Sequence, residues 1–432
     1  MLASARRILI GMKLVFLRLC AWLDLQFERR SRAISLAAIA LVALAGAIYT
    51  LRLGETVRYY DEQEYLDLAA NLERVGMLTY DGSAKTAFRP PGYVAYLAAF
   101  LRAGGPVQLI RLSQFALLCG AMLLLASIVR RFHGGAAAAA ATFLVLLYPV
   151  LFYTAGVFYP QTLAACLFLG ALYFLAQTKV PTALDAICGG ALLACLLLTV
   201  PTFAASCGVL VLWLLWRFGR RAALSVALVI LTTGLGLGAW TARNQTLFGS
   251  FVFVATNSGL NLYLGNNASA TPSSGVEVAL PDPLEDEAEL DEARIDARYR
   301  HLALTWISDH PTAALRLYLG KLAHYFAIDD DLATAAEESS LHTLIMACTY
   351  LPLLLLALLR IVFLRSQSLS SMERLFLALY LVNALTSAVF FCRIRFRIPY
   401  DLVLIGLAAS SLGLLIQSCA SAQIGQRRPQ SA

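Results

Sequence analysis

The sequence predicts an all-α polytopic membrane protein of about ten transmembrane helices, and three observations predict it. Of its 432 residues, 59% are hydrophobic and 14% charged, with a mean hydropathy of +0.70. An ordinary soluble domain carries about 25% charged residues, so a soluble globule and a disordered chain are both excluded. Apolar runs of roughly the 20 residues needed to cross a bilayer recur along the whole chain. Lys and Arg gather in alternate short loops, as the positive-inside rule requires of a chain that crosses repeatedly.

Residues 1–32 precede the first span. The stretch 8–27 is apolar but broken by Lys13, Arg18 and Asp24. It lacks the unbroken core and small-residue cleavage site of a secretory signal, and reads as an amphipathic helix on the cytoplasmic face. Spans follow at 33–52, 108–129, 135–152, 158–177, 183–200, 202–216 and 222–241, forming an N-terminal transmembrane core over 33–241. Gly234, Gly236 and Gly238 inside the last of these suit close helix packing. A large hydrophilic segment occupies 242–340, spans at 341–363, 374–391 and 400–418 make up a C-terminal part over 341–418, and a tail covers 419–432.

Charge fixes the expected orientation. Arg29, Arg30, Arg32, Arg130, Arg131, Lys179, Arg217, Arg220, Arg221, Arg360, Arg365, Arg374, Arg427 and Arg428 fall on one side under strict alternation, which places both termini in the cytoplasm. The opposite side carries the only two long hydrophilic stretches, 54–107 and 242–340. Between Thr241 and Leu341, fifteen acids stand against six bases. The net +7 of the whole chain therefore carries no message about nucleic acid, and the chemistry is expected in the two outer segments of a multi-pass plasma membrane protein, in a bacterium facing the periplasm.

Several chemistries lack their signatures. The nine cysteines lie almost all within spans, with no disulfide framework and no metal spacing. There is no P-loop, no dinucleotide-binding glycine motif after a strand and no HExxH, so no nucleotide cofactor is expected. His310, His324 and His342 lack metal spacing; Asp329-Asp330-Asp331 and the acidic run 282–296 read as solvated. The sequons at Asn244 and Asn267 are short enough to arise by chance.

In the first outer segment, Tyr65, Leu68, Leu72 and Val75 recur at helical spacing and Gly76 supplies a stop, giving a helix with one apolar stripe expected to lie along the membrane surface. Asp61 with Glu64 three residues on matches a capping box, so Asp61 reads either as a helix cap or, together with Glu62, as a base or metal ligand at a positive helix end. In Phe88-Arg89-Pro90-Pro91-Gly92-Tyr93, two prolines stiffen the chain around an Arg that either snorkels or presents its fork to a phosphate. The stretch 257–267 is rich in Asn, Ser, Gly and Tyr, suited to sugar hydroxyls or to a plain connector. Arg393, Arg395 and Arg397 oppose the charge rule on the outer side, which implies either a different topology or a bound anion; for the anion Arg397, set by Pro399, is the strongest candidate, and Asp401 reads either as its orienting partner or as a solvated acid at the helix start. Lys321, His324 and Tyr325 share a helical face with a weaker claim on the same anion.

This order of features resembles the GT-C superfamily of membrane glycosyltransferases, and within it the family 39 and ArnT-like enzymes that use polyprenyl-phosphate sugars. The resemblance rests on Asp61-Glu62 after one span, Gly76, the Arg89 to Tyr93 stretch, Ala242-Arg243-Asn244, the segment Ser258 to Asn267, and Phe396-Arg397-Ile398-Pro399 before the last span. It implies Asp61 and Glu62 as catalytic acids, with Arg89, Arg397, Arg395 and Lys321 on the donor phosphate, and Tyr65, Tyr93, Asn261, Tyr263 and Asn266 on the sugar or acceptor. Where the family often carries an acid, this chain has Gln161, a neutral ligand, so a divalent metal held by Asp61 and Gln161 is an open expectation. The implied reaction is inverting transfer of a sugar from a polyprenyl-phosphate donor to a hydroxyl of a lipid, glycan or protein acceptor at the outer face. A lipid-linked glycan ligase and a lipid or sugar flippase are the rival readings; buried charges inside spans would favour the flippase.

Overall fold

The computed structural model describes the backbone of residues 2–275, 278–281, 290–329, 340–362 and 368–426, and the side chains among these from 28 to 416. Among the described residues every regular element is helical. The acidic run 282–289 and Asp330-Asp331 lie outside them.

Helix α1 (Leu2–Leu53) is a single helix of 52 residues, about 78 Å at 1.5 Å per residue, more than twice the hydrocarbon thickness. Its apolar part is Glu28–Leu53. The first hydrophilic segment then folds as α2 (Tyr60–Val75) and α3 (Pro91–Arg102). Gly76 ends α2 in the left-handed conformation at φ 71°, as expected of a stop glycine. Much of the apolar side of α2 is used inside the fold, where Tyr65, Leu66, Leu68 and Ala69 are buried against Tyr93, Val94, Leu97 and Ala98 of α3, while Val75 at its end stays exposed. Pro91 at the first position of α3 costs no hydrogen bond there, and Gly92 is required because a Cβ would lie 2.5 Å from Thr199 Oγ1.

Helix α4 (Val107–Leu146) carries two of the expected runs, separated at Gly134, whose φ of 83° breaks the helix. The second half gains a new N-terminus there, and the Glu28 carboxylate caps it by accepting the N–H of Ala136 at 2.9 Å. Then come α5 (Pro149–Ala155), α6 (Gln161–Leu175), α7 (Ala183–Thr199), α8 (Ala204–Phe218) and α9 (Ala223–Phe248). Close packing in α9 holds at Gly236, where a Cβ would meet that of Ala194 at 2.7 Å; Gly234 and Gly238 face open space.

The second hydrophilic segment forms α10 (Ser258–Gly265), α11 (Glu292–Asp309) and α12 (Pro311–His324), followed by the apolar helices α13 (Ser340–Val362), α14 (Ser371–Val389) and α15 (Ile394–Gln426). Among the described residues six apolar stretches are long enough to cross a membrane, and α6 and α7 are shorter apolar helices. Each expected run overlaps apolar helix of this set, although 135–152 is divided between α4 and α5 and 158–177 overruns α6 at both ends, and the chain is a multi-pass membrane protein. Helix α15 is the axis of the bundle: 83% of its apolar stretch is buried, against 28% in α1 and α13, and it packs on α1, α4, α6, α13 and α14.

The two hydrophilic segments are clipped together at one end of this bundle. Thr256 N–H donates to Ala87 O at 3.0 Å, and the Glu292 carboxylate accepts from Thr86 Oγ1, from Ala87 N at 2.9 Å and from Thr256 Oγ1 at 2.9 Å. Asp296, one helical turn on, caps α10 by accepting the N–H groups of Gly259 and Leu260.

Candidate active site

Asp61 and Glu62 are neighbours on α2, and adjacent helical residues point about 100° apart. Glu62 turns inward and is 1% exposed. One of its oxygens accepts the N–H of Arg58 at 3.2 Å and of Tyr59 at 3.3 Å, and the other the N–H of Phe158 at 2.9 Å. The capping role expected of Asp61 therefore belongs to Glu62, with Tyr59 as the N-cap. Its carboxylate is spent on backbone amides, and the paired-acid reading narrows to Asp61. Arg111, a lone cation inside an apolar run, is buried beside this tie and donates to Gly54 O, Thr56 O and Gly156 O over the Phe158 ring.

Asp61 turns outward into a cluster built from both ends of the chain. Its Oδ1 is 3.0 Å from Arg89 Nη2 and its Oδ2 2.9 Å from Arg395 Nη1. Arg89 also binds Glu64 through both Nε, at 3.1 Å from Oε1, and Nη2. Tyr80 hydroxyl donates to the same Glu64 at 2.5 Å. Arg89 is thus fixed by Pro90-Pro91 on the chain side, lies 5.2 Å from the Tyr65 ring centroid, and is held by two carboxylates. Arg395 lies over the rings of Tyr159 and Phe396. Tyr159 stacks on Tyr59, and Tyr59 in turn lies under Arg58. The three charged groups that meet at Asp61 retain side-chain exposures of 19% to 33%, so a ligand can reach them.

Other expected site residues are placed elsewhere. Arg395 and Arg397 are about 200° apart on one helix, and Arg397 points into the bundle at 1% exposure. Its guanidinium stacks 3.6 Å from the Tyr350 ring centroid, its Nη1 donates to Tyr325 O and Ala327 O, and its Nε is 3.4 Å from Asp401. Asp401 accepts from Tyr148 at 2.7 Å, so it does orient Arg397, but away from the Asp61 cluster. Lys321 is fully buried and its ammonium donates to Gly265 O, Asn266 Oδ1 and Phe390 O. Three acceptors take all three of its protons, which makes it a pin between α12, α10 and the end of α14 instead of a phosphate ligand. Burial pulls its pKa down to about 8, opposed by Cys392.

Tyr93 is fully buried with its hydroxyl on Gln114, and Tyr65 is 6% exposed beneath Arg89; neither presents a face to a sugar. Asn266 donates to Leu262 O and Val389 O, structural bonds that close the end of α10. Tyr263 packs on Tyr299, and Asn261 is half-buried on the same short helix. Gln161 is 8% exposed and its Oε1 has no hydrogen-bond partner. The sequon asparagines Asn244 and Asn267 are buried with their amides on backbone carbonyls.

No family model and no curated protein matches the chain. Solved structures do. Over 92% of its length the chain is similar to ArnT from Cupriavidus metallidurans bound to undecaprenyl phosphate, at 16% identity and a TM-score of 0.42, covering 80% of that chain. The apo state of the same enzyme is matched at 15% identity, a TM-score of 0.42, and 90% and 77% coverage. The oligosaccharyltransferase of Archaeoglobus fulgidus is matched at 14% identity and a TM-score of 0.48, over 91% of this chain and 53% of that one.

Electrostatically, burial alone would raise the Asp61 carboxyl, but the guanidiniums of Arg395 and Arg89 outweigh it and hold the pKa below the ordinary 3.8. Asp61 is therefore ionised at neutral pH. Burial would likewise lower Arg89, while Tyr65, Glu64 and Asp61 hold it above its usual value. The donor set does not fit a divalent ion: among the described residues no three His, Cys, Asp or Glu side chains converge, and both Asp61 oxygens are taken by guanidiniums.

Sequence reasoning passed over Arg58 and Arg111, took Glu64 only as half of a capping box, and took Glu292 only as part of a solvated acidic run. Arg111 carried a usable signal, since an isolated charge within an apolar run marks a structural or functional pairing. Glu64 shares a face with Asp61 at i, i+3. Nothing local marks Glu292.

Proposed function

We propose that the protein is a membrane glycosyltransferase that moves a sugar from a polyprenyl-phosphate donor to an acceptor hydroxyl at the end of the bundle where the two hydrophilic segments meet. The observation that carries this reading is the Asp61 carboxylate held between Arg89 and Arg395. The similarity to an ArnT structure with bound undecaprenyl phosphate supports a lipid-linked donor.

The cluster suits the charge flow of this reaction. The acceptor oxygen attacks the sugar's anomeric carbon as the bond from that carbon to the phosphate oxygen breaks, and the hydroxyl proton passes to Asp61. A phosphodiester with one negative charge becomes a phosphomonoester that gains a second. At the same moment Asp61 loses its charge, so Arg89 and Arg395 are released from it to meet the new one. The single displacement inverts the anomeric centre. Pairing with two guanidiniums makes Asp61 a weak base at rest; its basicity returns as the donor phosphate draws them away.

The test is transfer of labelled sugar from a panel of polyprenyl-phosphate sugars by membranes carrying wild type, Asp61→Asn or Arg395→Ala. Loss of transfer in both variants is expected. Full activity of Asp61→Asn would remove Asp61 as the base. Movement of lipid between leaflets without sugar transfer would instead favour a flippase, for which the buried Arg397 and Asp401 pair is the relevant feature.

A further inference from the structure

At the opposite, arginine-rich end of the bundle, α8 and α14 leave a groove of about 270 Å³ between them. Val209, Leu212, Trp213 and Trp216 recur at helical spacing along one wall, and Leu375, Ala378 and Arg374 line the other. The Trp213 indole N–H donates to Ser371 O at 2.9 Å, which fixes that ring as wall. Trp216 remains 56% exposed.

Cations ring this apolar slot. The Arg374 guanidinium lies 5.4 Å from the Trp216 ring centroid, and that of Arg217 lies 5.9 Å from Trp213 and 5.4 Å from Phe218. Arg220 and Arg221 follow within one turn and are exposed. Among the described residues none of these four arginines has an ion-pair partner. The one acid beside them in sequence, Glu373, is buried and taken by Arg360 at 2.6 and 3.0 Å. Hydrocarbon walls with unmatched positive charge at the rim call for an anion carried on an apolar chain. Tryptophans at headgroup depth and basic pockets between membrane helices are the usual setting for such a lipid.

We propose that this groove binds an anionic phospholipid of the leaflet at that end, with the phosphate on Arg217 and Arg374 and an acyl chain along Leu212, Trp216, Leu375 and Ala378. A zwitterionic lipid offers the same chain, but its own ammonium offsets the attraction of the rim. The site lies far from Asp61 along α14 and α15 and does not depend on the sugar-transfer reading.

The test is tryptophan quenching in the full-length protein reconstituted into phosphatidylcholine nanodiscs that contain either brominated phosphatidylglycerol or brominated phosphatidylcholine at equal low fraction. Brominated phosphatidylglycerol should quench at a several-fold lower fraction, and Arg217→Gln with Arg374→Gln should abolish that advantage, each arginine contributing up to about fivefold. The double variant must keep the wild-type melting temperature, which excludes misfolding as the cause. Equal quenching by the two lipids, or an advantage that survives in the double variant, overturns the proposal. So does absence of quenching by either lipid, the result expected if a second copy of the chain closes the groove.

Discussion

Asp61 Oδ2 and Arg395 Nη1 meet at 2.9 Å across 334 positions of sequence. With side-chain exposures of 24% and 33%, the pair is worth no more than about 1 kcal/mol to folding. Arg395→Ala is therefore expected to leave the melting temperature within a few degrees of wild type. Sugar transfer should fall about 10²- to 10³-fold, the usual effect of removing one donor aimed at developing charge. A large drop in stability with proportionate loss of activity would show the pair to be structural.

The low pKa of Asp61 sets a pH window. Its folded-state pKa lies below the ordinary 3.8, so the stabilisation is complete above that value and is lost as pH falls through the folded pKa. In wild type the acid limb of the kcat/KM profile, which reports the free enzyme, should lie below about pH 4, and in Arg395→Gln it should move upward, because one of the two cations holding the proton off is gone. An unchanged limb in the variant would separate Arg395 from Asp61.

Glu62 and Asp61 should respond oppositely to loss of charge. Glu62→Gln turns an amide NH₂ toward backbone donors and leaves buried Arg111 without a nearby anion, at a cost of about 2–4 kcal/mol. Thermal melting should fall by many degrees. Asp61→Asn should melt like wild type and transfer no sugar.

Lys321→Met deprives two carbonyls and the Asn266 side chain of their donor and should destabilise by on the order of 3 kcal/mol. The protein that remains folded should keep its KM for the donor lipid. A raised KM at unchanged melting temperature would restore Lys321 to phosphate binding.

Gly259→Ala places a Cβ 1.9 Å from Asp296 O, in the joint between α10 and α11. Overpacking against backbone costs about 1–3 kcal/mol or more, and the variant is expected to melt early and to loosen the clip at Glu292. Protease cleavage between 242 and 310, faster than in wild type, is the readout.

The apolar helices were legible from hydrophobic length, and α2 from the spacing of Tyr65, Leu68, Leu72 and Val75 with its stop at Gly76. The site was legible only in part. Asp61 and Arg89 could be read locally, from a helix start and a proline-stiffened arginine. Choosing between Arg395 and Arg397 needed the helical phase. The start of the last span was read at 400, whereas α15 begins at Ile394, and two residues of phase decide which arginine faces Asp61 and which enters the core. Asn266, Lys321 and Tyr93 have the right chemistry for a sugar or phosphate, but burial turns each to structural use, and burial is a property of the packed bundle.

The length of chain separating Asp61 from Arg395 also orders the protein's biogenesis. A chain emerging from the ribosome carries Asp61, Glu64 and Arg89 within its first quarter, yet the second guanidinium is made only with the first turn of α15. Until that helix enters the membrane and takes its place along the axis, the half-formed cluster lacks one of the two cations proposed to receive the leaving phosphate. Insertion of the central helix is thus the step that brings the second guanidinium to Asp61.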